Sequence, residues 1–89
     1  MKIRKLYLSS QYRKSFNKLP FKTKQTAVEK LEIFQKDSFD PRLKTHKLSG
    51  RLKKQWSFSV DYSIRVMFEF VGEETVGLID IGAHKIYKR

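Results

Sequence analysis

The sequence predicts an α+β fold, in which two N-terminal helices pack on one face of a mostly antiparallel four-stranded sheet. Apolar residues recur with a helical period in the early part of the chain and alternate with polar residues later. The 89 residues are enough for a single domain, 1–89, with one modest core. Two layers around that core are the expected solution, in the order β-α-α-β-β-β.

The early part of the chain contains one strand and two helices. Residues 3–8 form a short strand, and Ser9 and Ser10 after it are good N-cap residues for a first helix. Pro20 separates that helix from a second one over residues 21–36. Both helices have an apolar face, with Tyr12, Phe16 and Leu19 in the first and Thr23, Ala27, Val28, Leu31 and Phe34 in the second.

Three strands follow, joined by short turns. Alternation predicts strands over residues 56–60 and 64–71, and residues 75–81 form a last strand rich in Val, Leu and Ile. Consecutive strands with short connections form an antiparallel meander, and the first strand joins one edge. Because both helices cover the same sheet face, we expect the other face to be open to a ligand.

Net positive charge is the strongest compositional signal. Twenty Lys and Arg residues against nine Asp and Glu give a formal charge of +11. Residues 42–54, the basic segment, hold six of these cations and no acidic residue. A field of this strength attracts polyanions, chiefly nucleic acid, although small ribosomal and nucleoid proteins have similar charge.

Composition also excludes several classes of protein. There is no Cys, so a disulfide, a thiolate nucleophile and a Cys-based zinc site are excluded, and two histidines alone make a poor zinc site. The carboxylates are scattered, which disfavours a metal nuclease, and we expect neither a metal nor a cofactor. There is no long apolar run and no signal-peptide pattern, so we expect a cytoplasmic protein without membrane contact.

Arg65 is a candidate phosphate-binding residue because of where alternation places it. Its neighbours Ile64 and Val66 face the helices, so Arg65 faces the open side, as do Ser57 and Ser59 of the previous strand. A guanidinium fork matches the geometry of a phosphate and stabilises the charge that builds on it. The alternative is a surface arginine in an ion pair, with Asp61, Glu69 or Asp80 as partner.

Two histidines and a tyrosine complete the candidates for acid–base chemistry. His46 lies in the basic segment, and His84 follows the last strand, where a side chain can reach over the open face. Tyr87 is close enough to stack on a base or to orient a hydroxyl. RNA supplies its own 2′-hydroxyl nucleophile, so a base, an acid and cations are sufficient to cleave it. The alternative for each residue is an ordinary exposed position in a loop or tail.

Three segments in this order resemble the bacterial RelE/ParE toxin superfamily. They are Thr45-His46-Lys47-Leu48-Ser49-Gly50, the stretch from Trp56 to Phe68, and Leu78-Ile79-Asp80-Ile81-Gly82-Ala83-His84. The chain is most similar to the YafQ-, YoeB- and RelE-type mRNA interferases. The resemblance implies a microbial-ribonuclease-like fold and a toxin of a type II toxin–antitoxin system that cleaves ribosome-bound mRNA. It also implies an acidic antitoxin as partner, with operator DNA contacted only through the antitoxin complex.

The resemblance assigns roles to individual residues. Arg65 matches the arginine that contacts the scissile phosphate, and His84 matches a catalytic histidine. His46 matches the histidine of a His-x-Leu-x-Gly motif, and Tyr87 matches a C-terminal aromatic residue. The candidate RNA-binding cations are Lys44, Lys47, Arg51, Lys53, Lys54 and Lys85. One departure is that serines, Ser57 and Ser59, stand where RelE has catalytic lysines.

Two other functions remain open at the level of the sequence. A ParE-like inhibitor of DNA gyrase would bind a protein and cleave nothing, and a non-catalytic RNA- or ribosome-binding module would use only the charge. ParE-like proteins usually lack the C-terminal catalytic histidine, so His84 favours the nuclease.

Overall fold

A five-stranded mixed sheet with two helices against it forms the architecture in the computed structural model. The structure describes residues 1–52 and 54–88, without the side chains of Arg51 and Lys88. The elements are β1 (Lys5–Leu8), α1 (Ser10–Asn17), α2 (Phe21–Lys36), β2 (His46–Lys47), β3 (Trp56–Ser59), β4 (Arg65–Gly72) and β5 (Thr75–Gly82), with 3₁₀ helices at Pro41–Leu43, Gly50–Leu52 and His84–Lys88.

The strand order is β1-β5-β4-β3-β2, with β1 parallel to β5 and the other pairs antiparallel. The predicted α+β fold is confirmed, and it contains one strand more than the four expected. The additional strand, β2, lies in the basic segment and has only two residues. A strand this short has no periodicity of its own, and it exists because it pairs with β3.

The two helices begin where the sequence indicates. Ser9 is the N-cap of α1: its hydroxyl accepts from the backbone N–H of Tyr12 at 2.9 Å and donates to the carbonyl oxygen of Ile79 at 2.6 Å. The cap therefore also ties the start of α1 to β5. α2 follows Pro20 and runs over the predicted range, Phe21–Lys36. Among the residues that the structure describes, no helix is long and apolar enough to cross a membrane.

The core lies between the helices and one sheet face. Its centre is Phe34 of α2, whose ring stacks on Phe58 at 4.6 Å and meets Phe68 edge-on at 4.8 Å. Leu43, in the 3₁₀ helix after α2, is fully buried and anchors the start of the basic segment to the core. Val28 does not belong to the buried stripe of α2: it is 50% exposed, because it lies on the flank of the helix.

The opposite sheet face is covered across its middle, so the prediction of an open face is wrong there. Ser57 and Met67, one on each central strand, are buried on this face. Asp80 joins them because a bulge at Ile79 shifts the register, so that Asp80 rather than Ile79 lies opposite Met67. Two segments contribute to the cover: Tyr87 of the C-terminal 3₁₀ helix, in which Ile86 is buried, contacts Ser57, and Ser15 of α1 donates to Oδ1 of Asp80 at 2.6 Å.

Candidate active site

The strand register gathers the candidate residues on the sheet face that points away from the helices. In the antiparallel pairing, His46 lies opposite Ser57 and Ser59 lies opposite Arg65. Directly opposite residues share a face, as do residues two apart on one strand. The face predicted for Arg65 and the two serines is therefore confirmed, and His46 joins them through β2.

Arg65 is held by neutral oxygen atoms. One of its terminal nitrogens, Nη1, donates to Ser59 Oγ at 2.7 Å and to the carbonyl oxygen of Asp61 at 3.2 Å. In the described part of the chain Arg65 forms no ion pair. The Asp61 carboxylate instead accepts from the backbone N–H groups of Ser63 and Ile64, at 2.9 and 2.8 Å. The guanidinium is thus positioned without being neutralised, which suits it to bind an external anion.

His84 and Tyr87 lie together on the C-terminal 3₁₀ helix. Residues three apart on such a helix project from the same side, and the two rings meet edge-on with centroids 4.9 Å apart. The Tyr87 hydroxyl is hydrogen-bonded to the hydroxyl of the buried Ser57. This contact fastens the 3₁₀ helix to β3 and holds the exposed His84 ring at the edge of the face. Sequence reasoning missed this role of Ser57, because nothing in the pattern indicates its partner.

Gly82 allows the 3₁₀ helix to approach the sheet. It is the last residue of β5 and lies opposite Arg65. A Cβ atom at this position would be 2.9 Å from Cγ2 of Ile86, which is closer than carbon atoms approach in folded proteins. The absence of a side chain therefore brings the chain that carries His84 close to Arg65.

His46 is exposed, and its ring orientation is set by its own loop. Its Nδ1 lies 3.1 Å from the carbonyl oxygen of Lys44. A carbonyl oxygen only accepts, so this hydrogen bond requires the proton on Nδ1 and leaves Nε2 to exchange protons. Lys44 has a positive φ of 53°, which is uncommon for a residue with a side chain.

Arg65 also lines a pocket of about 540 Å³ beside the end of the β3–β4 hairpin. Its described lining residues are Lys30, Arg42, Lys44, Ser59, Val60, Asp61, Tyr62 and Arg65. Arg42 is held by Asp40, with Nε and Nη2 donating to the two carboxylate oxygens at 3.0 and 2.9 Å. These bonds, together with the backbone N–H of Arg42, lower the pKa of Asp40 to about 2.

Comparison with known proteins identifies the fold. No protein-family model and no curated protein matches the sequence. The YoeB/ParE toxin from Agrobacterium tumefaciens superposes with a TM-score of 0.78 and 14% identity, over 91% of this chain and 99% of that one. The archaeal RelE–RelB complex from Pyrococcus horikoshii superposes with a TM-score of 0.73 and 14% identity, over 93% of this chain and 96% of that one. The DinJ–YafQ toxin–antitoxin complex of Escherichia coli superposes with a TM-score of 0.71 and 17% identity, over 93% of this chain and 94% of that one. The chain has the RelE/ParE toxin fold.

The remaining predicted cations are distributed unevenly over this RelE/ParE fold. Lys54 and Lys85 are exposed, and Lys85 directly follows His84. Lys47 lies opposite Trp56 and therefore points away from the face that His46 shares. Lys53 and the side chain of Arg51 lie outside the described residues. Within the described residues there is no group of three or more His, Cys, Asp or Glu side chains that could hold a metal ion.

Proposed function

We propose that this protein is the toxin of a type II toxin–antitoxin system and cleaves mRNA with its own side chains as acid and base. The observation that carries the proposal is that His46 and Tyr87 both neighbour Ser57, while the His84 ring packs on Tyr87. Arg65 lies opposite Ser59, two residues along β3 on the same face. Several fold neighbours are toxins, and two of them were solved as toxin–antitoxin complexes, which supports the same assignment. The net charge of +11 suits a polyanionic substrate.

The proposed reaction uses the 2′-hydroxyl of the RNA as its nucleophile. Its oxygen attacks phosphorus, the bond from phosphorus to the 5′-oxygen breaks, and the products are a 2′,3′-cyclic phosphate and a 5′-hydroxyl. His46 and His84 transfer the two protons, one taking the proton of the 2′-hydroxyl and the other protonating the leaving oxygen. Arg65, which is bound only to neutral oxygens, stabilises the charge on the phosphoryl oxygens. Tyr87 holds the His84 ring in place through their edge-on contact.

The proposed protein partner is an acidic antitoxin. Opposite charge favours its association with this basic chain. A hollow between α1 and α2 offers an apolar surface for the same partner, lined by Leu8, Tyr12, Phe16, Ala27, Val28 and Leu31. An antitoxin segment with acidic and apolar residues would match both features, and operator DNA would be contacted through the complex.

Induced expression in growing bacteria tests the proposal. We expect growth arrest with new 5′ ends inside translated mRNA, and cleavage of ribosome-bound mRNA by the purified protein with 2′,3′-cyclic phosphate ends. His84→Ala and Arg65→Ala should reduce cleavage by about 10²-fold or more while melting like the parent. Arg13→Ala, an exposed position on α1, is the charge-matched control for Arg65. Intact mRNA during arrest, together with loss of DNA supercoiling, would establish gyrase inhibition instead.

A further inference from the structure

The pocket beside Arg65 combines cations from three separate parts of the chain. Lys30 comes from α2, Arg42 and Lys44 from the start of the basic segment, and Arg65 from β4. The one carboxylate among its described lining residues is Asp61, which is hydrogen-bonded to backbone N–H groups of its own turn. Arg42 is paired with the carboxylate of Asp40, whereas Lys30, Lys44 and Arg65 form no ion pair within the described residues. Three unpaired cations and one engaged carboxylate make this a site for an anion.

Two of the cations, Arg42 and Lys44, are held in place by local contacts or backbone conformation. Asp40 holds Arg42 through two hydrogen bonds, which lower the pKa of Asp40 to about 2, with a smaller contribution from the charge of Lys30. Lys44 occupies a left-handed backbone conformation that glycine adopts more readily. Strained backbone conformations cluster at functional sites, so a lysine in this conformation at the pocket wall supports a binding role for its side chain.

Tyr62 provides a second kind of surface at the rim. It lies at the tip of the β3–β4 turn and is 98% exposed, although tyrosine normally buries most of its ring. An exposed aromatic ring beside a cationic groove is the combination that binds single-stranded nucleic acid, with phosphate on the cations and a base on the ring. An acidic protein segment would match the cations and leave the tyrosine ring unused.

We infer that this pocket binds the phosphate of a nucleotide flanking the cleaved bond, and that Tyr62 stacks on the base of that nucleotide. The inference rests on the proposed function for the identity of the RNA. Arg65 connects the two sites, since it lines the pocket and also lies on the sheet face that carries Ser57, Ser59 and His46. The RNA strand would then run from the His84 side of Arg65 towards Tyr62.

Binding of an RNA oligonucleotide with 2′-O-methyl groups throughout tests this inference, because such an RNA cannot be cleaved. Tyr62→Ala should weaken binding about tenfold, and Tyr62→Phe should retain it, since base stacking needs only the ring. Tyr7→Ala, at another exposed tyrosine, is the matched control and should bind like the parent.

The cations are tested by the salt dependence of the same binding. Lys30→Ala and Lys44→Gly should each reduce the slope of log affinity against log salt by about 0.7. Lys22→Ala, an exposed lysine on α2, should leave the slope unchanged. Glycine at position 44 fits the positive φ, so this variant loses the charge without strain and should fold at least as well as the parent.

The outcomes separate this inference from the proposed function. If Tyr62→Ala binds like Tyr7→Ala and the two lysine variants keep the parental slope, the pocket does not bind RNA, even if the parent cleaves mRNA. The same conclusion follows if the lysine variants weaken only the binding of the antitoxin. If the parent cleaves no RNA but the pocket variants weaken binding as expected, the pocket and Tyr62 bind single-stranded RNA as inferred, and the proposed nuclease activity is wrong.

Discussion

Substituting Gly82 by alanine should displace the helix that carries His84. The added Cβ would lie 2.9 Å from Cγ2 of Ile86, well below the roughly 3.5–4.0 Å at which carbon atoms attract each other. That methyl group cannot swing aside, because Ile86 is buried and its β-branched side chain is stiff about χ1. The strand and the 3₁₀ helix must therefore separate.

The expected cost of Gly82→Ala is about 1–3 kcal/mol of the free energy of unfolding, as for other overpacked sites. In a domain of this size, each kcal/mol lowers Tm by about 4–8 °C. The proposed cleavage of mRNA should decrease as well, since the same shift moves His84 and Tyr87 relative to Arg65. Thermal unfolding followed by circular dichroism and the rate of mRNA cleavage measure the two effects on the same samples.

Gly77→Ala is the matched control, because it makes the same substitution in the same strand. A Cβ at that position would be 3.7 Å from Cγ1 of Val71, an ordinary contact. We expect its free energy of unfolding to stay within about 1 kcal/mol of the parent. If Gly82→Ala melts like Gly77→Ala and cleaves mRNA at the parental rate, close packing at Gly82 does not position the C-terminal helix.

Three further predictions concern the capping, the core and the pH dependence of the fold. Ser9→Ala should cost about 1 kcal/mol by chemical denaturation, because the hydroxyl caps α1 and also binds the carbonyl of Ile79; an unchanged midpoint would contradict this. Phe68→Ala should cost about 3–5 kcal/mol, since the ring is fully buried, and parental stability would show that the core is centred elsewhere. Burial raises the pKa of Tyr12 to about 12, so the unfolded chain ionises first and stability should fall between about pH 10 and 12. Tyr12→Phe should remove that part of the alkaline loss, whereas Tyr62→Phe, at an exposed ring, should not.

Periodicity predicted the helices and the main strands because each of them has one buried face. The range of α2 follows from an apolar stripe at helical spacing, and β4 follows from alternation that ends in a turn. The same alternation correctly assigned Arg65 and Ser59 to the face away from the helices. Such predictions succeed because they depend only on the geometry of one element and on which of its sides meets the core.

The errors have a different origin. β2 was missed because two residues show no period, and its pairing depends on β3. Val28 was assigned to the buried stripe of α2, but the width of that stripe depends on what packs against the helix. Alternation predicts an open face away from the helices, whereas Tyr87 and Ser15 contact this face from segments distant in sequence. Each of these features is set by a segment that is distant in sequence.

The sequence by itself determined the α+β fold, the basic character of the chain and the face on which Arg65 lies. Those properties follow from composition and from the periods of single elements, which are local. Only the tertiary structure decided that Tyr87 bonds to Ser57, that Gly82 lets the chain carrying His84 approach Arg65, and that the cations of three segments enclose one pocket. The Tyr87–Ser57 hydrogen bond and the pocket join segments that are distant in sequence, and Gly82 lies opposite Arg65 through the register of β4 and β5, so no local pattern encodes them.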